Sequence, residues 1–247
     1  MGDKQFGAGG ARQASGLCLT FDDWFVRGWH GARDLFRQYD AKATFFIAKP
    51  DKIRNRGWNR LRALQSDGHE IGCHTMTHAR LTKFLTEGTF EDYIAQEILP
   101  ALDILRGEGL RITSFSYPYF KYRPMLTGLL LQHFRLVREA GVQPNPIHAI
   151  YPDRANVTMN IMGVLDRTGQ EIPIDYYATR FALLRDHGGF GVFCGHALGP
   201  DGPKNTRMTC SYADLEEVLA LAQSHGLSMQ TMRSIGFSHR HALRDAA

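Results

Sequence analysis

The chain has 247 residues, 43% hydrophobic and 22% charged, and a formal net charge of +4 from 29 basic and 25 acidic residues. That length suits one α/β domain with a sizeable core, and basic residues scattered along the whole chain exclude the stripe that a nucleic-acid binder needs. Four cysteines, Cys18, Cys73, Cys194 and Cys210, stand apart without a CxxC pair, which argues against a disulfide scaffold or a zinc knuckle and for buried thiols that fill a core.

Residues 1–16 are rich in Gly, Ala and polar side chains, without the apolar run that a signal peptide or a membrane span requires. A loose tail, a cytoplasmic location and no membrane partner are the expectations. From residue 17 short β-rich runs alternate with helical patterns, as in a sheet or barrel of parallel strands. Residues 17–21 read as the first strand, ending in Asp22-Asp23. Residues 29–39 carry Ala32, Leu35, Phe36 and Tyr39 at amphipathic helical spacing, and 43–48 form a continuous apolar strand. A helix over 51–66 stops at Asp67-Gly68 and delivers a strand over 69–73.

The pattern predicts a longer helix over 90–106 with a kink at Pro100, then a strand over 112–116. Residues 125–132 are helical in pattern, 134–138 suit strand or helix, and the Pro- and Asn-rich stretch 142–160 holds only short strand candidates. Order returns with a strand over 171–174, a helix over 175–187, a strand over 190–194, a helix over 212–225 and a strand over 227–231. Six or seven β/α units in one domain over 17–235, followed by a polar tail over 236–247 that holds His239 and His241, suit a (β/α) barrel somewhat smaller than the eight-fold one.

His74 and His78 stand out because two imidazoles four residues apart would share one face if the chain after Cys73 were helical. Neutral imidazoles on one face begin a site for a divalent transition metal, and Asp22-Asp23 offers a carboxylate as a third ligand; surface or capping histidines are the plain alternative. Every candidate falls at the C-terminal end of a predicted strand, where barrel chemistry collects: Asp22 and Asp23, His74 and His78, Tyr117-Pro118-Tyr119, and His196. Trp24, Phe25 and Trp29 either stack on a bound ring or pack in the core, and Tyr119 either lines a groove or packs. Strand alternation turns Cys73 away from His74 and puts Cys194 one layer below His196; both read as inert filling.

Taken together, Thr20-Phe21-Asp22-Asp23, His74-Thr75-Met76-Thr77-His78, Tyr117-Pro118-Tyr119 and a late strand ending in His196 resemble the NodB-homology polysaccharide deacetylases. The flanking Ala43-Thr44-Phe45-Phe46 and Gly68-His69-Glu70-Ile71-Gly72 match too, so the resemblance covers residues 17–235. It implies a single-domain distorted (β/α)7-type barrel that uses one divalent metal ion, zinc first among the transition metals, to hydrolyse N- or O-acetyl groups on a sugar. It also implies Asp23, His74 and His78 as metal ligands, Asp22 as general base, His196 as general acid, a backbone N–H near Tyr119 for the oxyanion, and Tyr117, Pro118, Tyr119 and Trp24 as substrate-binding residues. The same resemblance leaves open a C–N hydrolase acting on a small non-sugar amide, or a carbohydrate-binding relative without turnover. No protein partner is implied.

The sequence departs from the family pattern in three places. Ser116 stands where the family has the Arg that orients the catalytic Asp, and Arg138 or Arg123 is the candidate replacement. Phe120 replaces a Gly after the third motif and would crowd the pocket wall. The Asp behind the acid His has no clear match, Asp175 being a weak candidate.

Overall fold

The computed structural model describes residues 15–151, 157–167, 172–199 and 208–235. Five parallel strands follow one another in space as in sequence: β1 (Ser15–Asp23), β2 (Ala43–Ile47), β3 (Glu70–Cys73), β4 (Ser114–Ser116) and β5 (Leu136–Val142). β6 (Ile150–Tyr151) is a short antiparallel piece; β7 (Thr158–Ile161) pairs with β5, and β8 (Gly163–Val164) pairs with β9 (Gly189–Gly195), which lies against β1. β7 and β8 are one stretch of chain interrupted only at Met162, so the order β9-β1-β2-β3-β4-β5-β7/β8 closes a ring of seven positions. The expected (β/α)7-type barrel is therefore the fold. Two short strands, β10 (Ala197–Leu198) and β11 (Thr209–Cys210), pair beside it, and β12 (Ser228–Met229) joins the start of β1.

The helices form the outer layer: α1 (Val26–Gly31), α2 (Arg33–Gln38), α3 (Asn55–Ser66), α4 (Leu81–Phe84), α5 (Phe90–Tyr93), α6 (Leu99–Gly107), α7 (Pro124–Leu130), α8 (Ile174–His187) and α9 (Tyr212–Ser224). Among the described residues no helix is long and apolar enough to cross a membrane. Alternation along β1 divides the core. Leu17, Leu19 and Phe21 pack under the helices, whereas Cys18 joins Phe46, Leu136, Met159, Phe190, Val192, Met232 and Ile235 in a smaller cluster. One layer towards the C-terminal end of the strands the fillers become polar, Thr20 and then Asp22 on β1, and there the barrel turns from core into site.

Several sequence expectations are corrected. The predicted helix over 29–39 is two helices that turn at Ala32 (ψ 1°). Gly31 weakens the junction, and a Cβ there would lie 2.2 Å from the Tyr212 hydroxyl, which would have to shift. In place of a kink, residues 90–106 contain a π-helical turn over Ile94–Ile98, after which Pro100 sits in the first turn of α6, where its missing N–H is harmless. The strand expected over 171–174 does not form: Ile174 opens α8 and residue 171 lies outside the described residues. The seventh strand position is filled from residues 158–164 instead. The tails over 1–14 and 236–247, with His239 and His241, also lie outside the described residues.

Candidate metal centre

Asp22 and Asp23 end β1, and strict alternation would send their side chains to opposite faces. Asp23 instead has a left-handed φ of 85°, and both carboxylates reach the same histidine: His74 Nε2 lies 3.7 Å from Asp22 Oδ2 and 3.9 Å from Asp23 Oδ1. His78 Nε2 stands 3.2 Å from the same Asp23 oxygen. The two histidines are not on a helix. Residues 74–80 are irregular, with positive φ at Thr75 (74°) and His78 (63°), so a bent loop brings the imidazoles to a centroid distance of 5.0 Å.

Left-handed conformations at residues other than Gly cost about 1–3 kcal/mol each and persist only where surroundings impose them. Here Thr75 Oγ1 accepts the His78 N–H at 3.0 Å, and Glu97, buried on the π-helical turn, clamps the middle of the loop. The Glu97 carboxylate accepts the Thr77 N–H at 2.8 Å and the Thr77 hydroxyl at 2.6 Å, while the Glu97 carbonyl accepts the Met76 N–H at 2.8 Å.

Arg138 on β5 answers the question raised by Ser116. The two residues are register partners across β4 and β5, so a guanidinium lost from position 116 is supplied from the adjacent strand in the same layer. Arg138 is buried and donates to Asp22 Oδ2, to Ser116 Oγ at 2.5 Å, to Thr20 Oγ1 at 2.6 Å and to Cys194 Sγ at 3.1 Å. Burial alone would raise the Asp22 carboxyl, but the charge of Arg138, helped by His74 and His196, outweighs it and holds Asp22 below its ordinary value. Burial keeps the Cys194 thiol protonated, well above its usual value, so Asp22 is the anion among the four acceptors on Arg138. Asp22 Oδ1 remains buried with no hydrogen-bond partner.

His196 follows β9. Its Nδ1 lies 2.6 Å from Asp166 Oδ2, and its backbone N–H donates to Asp166 Oδ1 at 2.9 Å. Burial disfavours the imidazolium, yet the hydrogen bond and charge of Asp166, then Asp22 and Asp23, raise His196 above its ordinary value. Asp166 is the residue the sequence reading missed. It follows β8 as Asp22 and Asp23 end β1, an apolar strand running into a carboxylate, and that was the available signal. Asp175 lies in the first turn of α8, and Asp166 holds the place behind His196.

The residues expected to bind substrate separate into two groups. Tyr117 is 1% exposed, its hydroxyl 3.0 Å from Thr127 Oγ1, and Pro118 is buried. Both are buried directly after β4, which ends at Ser116 as expected, so neither side chain faces a substrate, a correction of that expectation. Tyr119 and Trp24 are each 43% exposed and lie 4.6 and 6.1 Å from the His78 ring, centroid to centroid. Trp29 is core, stacked on Phe45, and its indole N–H donates to the His196 carbonyl at 2.7 Å. Phe120, the substitute for Gly, lies over Arg138 at 5.7 Å. Cys73 faces the helical core and is pushed up to about 12 by burial.

Asp23, His74 and His78 suit a divalent metal. Their candidate ligand atoms lie within 4.8 Å of one another, and Asp23 Oδ1 is buried without a hydrogen bond, a cost that a cation would remove. His74 Nδ1 is 2.7 Å from the Ser116 carbonyl, which fixes its proton there and leaves the Nε2 lone pair aimed at the carboxylates. Burial lowers both imidazoles to about 4, the neutral form a metal needs; the neighbouring His74 charge contributes at His78. Burial and the nearby Asp22 raise Asp23 in the absence of such a cation. Two nitrogens and one carboxylate suit zinc and similar ions and leave coordination positions open.

Comparison with known proteins gives the same direction. The chain is 26% identical over 146 residues to a chitin deacetylase of Arthroderma benhamiae, 58% of this chain and 38% of that protein. It is 33% identical over 79 residues to the peptidoglycan-N-acetylglucosamine deacetylase PgdA of Listeria monocytogenes, 32% of this chain and 16% of that one. The matched stretch is thus well under half the length of either relative. In fold it is similar to the family 4 carbohydrate esterase of Streptomyces lividans, with a TM-score of 0.57 at 17% identity, covering 89% of this chain and 93% of that one. The sequence model described as polysaccharide deacetylase matches residues 9–132, half of the 247, and the chain belongs to that family.

Proposed function

We propose that this chain is a metal-dependent hydrolase that removes N-acetyl groups, with O-acetyl as the variant chemistry, from a sugar or oligosaccharide. The observation that carries this reading is a pair of oppositely prepared proton carriers beside the Asp23, His74 and His78 cluster: Asp22 held as carboxylate by Arg138, and His196 held as imidazolium by Asp166. When bound by those three residues, a divalent ion, zinc by preference, supplies Lewis acidity towards the acetyl carbonyl and water.

The protein supplies the rest. Asp22 Oδ1, which makes no other hydrogen bond, takes the proton of the attacking water. An amine leaves poorly as its anion. His196 Nε2, left free because Nδ1 is committed to Asp166, protonates the departing nitrogen. A backbone N–H at Tyr119 is assigned to the oxyanion. The pairing of base and acid speaks for turnover over carbohydrate binding alone.

Elemental analysis of wild-type protein and of His74→Ala and His78→Ala tests the metal assignment, paired with acetate release from N-acetylated sugars. About one metal per wild-type chain, much less in either variant, and acetate from wild type alone is the expected result. Absence of metal from reconstituted wild type would overturn the cluster assignment. Amide hydrolysis without sugar deacetylation would favour the small-amide reading.

Asp166→Asn tests the acid. His196 is raised above its ordinary value in the folded protein, so activity that needs the imidazolium is present below its pKa and is lost as pH rises through it. Removing the anion lowers that pKa, and the alkaline limb of the kcat profile is expected to move to lower pH. An unmoved limb would show that His196 is not the titrating acid.

A further inference from the structure

The two histidines of the metal cluster are held in unequal ways. The barrel fixes His74 twice: its backbone N–H donates to the Ile47 carbonyl of β2 at 2.8 Å, and its Nδ1 lies 2.7 Å from the Ser116 carbonyl of β4. His78 has no such support. Among the described residues its ring reaches Asp23 through Nε2, and its other contacts are rings: Trp24, His74 and Tyr119 at centroid distances of 6.1, 5.0 and 4.6 Å. A metal-ligating imidazole ordinarily donates its second N–H to an acceptor that fixes the ring. Without one, His78 is aimed by its backbone.

That backbone is the irregular stretch after β3, left-handed at Thr75 and at His78 itself, and such conformations persist only where neighbours impose them. Inside the loop, Thr75 Oγ1 accepts the His78 N–H. The clamp from outside is Glu97, whose carboxylate takes both the N–H and the hydroxyl of Thr77 and whose carbonyl takes the Met76 N–H. Glu97 is 4% exposed, and among the described residues its carboxylate has no cationic partner. Burying a carboxylate in that state is costly, so the position is a poor one for stability alone. It also sits on the π-helical turn, a departure from regular helix that recurs at functional sites.

We propose that Glu97 is a positioning residue for His78: through Met76 and Thr77 it sets the loop that aims the second imidazole at Asp23, and so governs how tightly the cluster holds a divalent ion without being one of its ligands. This rests on the metal reading of Asp23, His74 and His78 and adds to it which histidine is adjustable. Thr77 is exposed, so its N–H and hydroxyl turn to water once Glu97 is lost. The loop then relaxes and His78 drifts, while His74 keeps both of its barrel contacts.

The test uses cobalt(II) alone as the probe, because its visible spectrum follows coordination geometry. Affinity is measured by competition with a chelator on wild type, Glu97→Met, Glu97→Gln and Thr77→Val, beside the Tm of each metal-free protein. Glu97→Met keeps the volume and helix preference of the side chain and removes both acceptors. It is expected to bind cobalt about 10–100-fold more weakly, the usual effect of losing an outer partner of a ligand, with an altered spectrum and little change in metal-free Tm. In Glu97→Gln the amide oxygen accepts the Thr77 N–H and the amide nitrogen donates to the Thr77 hydroxyl, so affinity should return to within about threefold of wild type. Thr77→Val loses the hydroxyl bond alone and should fall between the two; its exposed side chain carries the same test if Glu97→Met does not fold. Adding Glu97→Met to His78→Ala should weaken cobalt binding by no more than about twofold further, since the ligand it positions is already gone. Wild-type affinity and spectrum in Glu97→Met and Thr77→Val, or an undiminished further loss in the His78→Ala background, overturns the proposal. Failure of wild type to bind cobalt would overturn the cluster assignment itself, and this inference with it.

Discussion

Asp22→Asn is expected to lower acetate release by about 10²–10⁴-fold, the range a positioned general base contributes, while metal content stays near one per chain. The split follows from geometry. Asp23, His74 and His78 bring their ligand atoms together without Asp22, so the metal site survives the substitution. The amide keeps the shape of the carboxylate and loses its basicity. It also leaves the Arg138 guanidinium buried against neutral acceptors only, Thr20, Ser116 and Cys194. Removing one partner of a buried ion pair costs about 3–5 kcal/mol, or about 6–20 °C in Tm for a chain of this size. Activity and metal content are therefore to be read well below the lowered Tm. A metal-free Asp22→Asn protein would show that Asp22 is itself a ligand; full activity would show that the base lies elsewhere.

How much of this arrangement the sequence discloses depends on whether a residue's neighbours are near in the chain or only in space. β1 and β2 are largely apolar runs, as strands buried on both faces must be, and the Asp22-Asp23 pair that ends β1 stands out against them. Asp22, Asp23, His74, His78 and His196 were legible as candidates because each lies at or just beyond the C-terminal end of a strand. The helical pairing of His74 with His78 was not the true one, because the spacing of two histidines carries no information about the clamp from Glu97, which is remote in sequence and fixes a left-handed loop. Arg138 was named only as one of two candidates, since its assignment depends on the register of β4 against β5. Asp166 stayed hidden because β8 is only two residues long and follows directly on a Pro- and Asn-rich stretch in which no strand boundary could be placed. Tyr117 failed in the other direction. A tyrosine inside a recognisable motif was read as a substrate contact, while its hydroxyl is bonded to Thr127 within the core.

Arg138→Ser is expected to be among the most damaging changes outside the metal ligands, and Ser116→Arg in the same chain is expected to repair part of it. Without the guanidinium, burial dominates at Asp22 and its carboxyl rises. Activity needs the carboxylate, so it is present above that pKa and lost as pH falls through it; the acid limb of the kcat profile must therefore move to higher pH. The same sign governs stability: wild-type Asp22, depressed when folded, contributes stability above its unfolded value that is lost as pH falls through the folded one, whereas in the variant the carboxyl favours protonation on folding. A loss of about 10²-fold or more near neutral pH, about 3–5 kcal/mol lower stability, and an acid limb shifted upward are the expected readings. Ser116 and Arg138 are register partners and both contact the same buried layer, so an arginine at position 116 starts from the neighbouring strand at the same height and reaches Asp22 from the other side. Phe120, which lies over Arg138, is the part of the arrangement fitted to the arginine's present strand, and for that reason the repair should be partial. A double-mutant cycle reports this as a coupling energy between positions 116 and 138. Recovery of activity together with a return of the acid limb to lower pH would show that the guanidinium acts by keeping Asp22 ionised, from whichever strand carries it. Recovery of stability alone would reduce Arg138 to a structural counter-ion. An Arg138→Ser protein with the wild-type pH profile would break the link between Arg138 and the base.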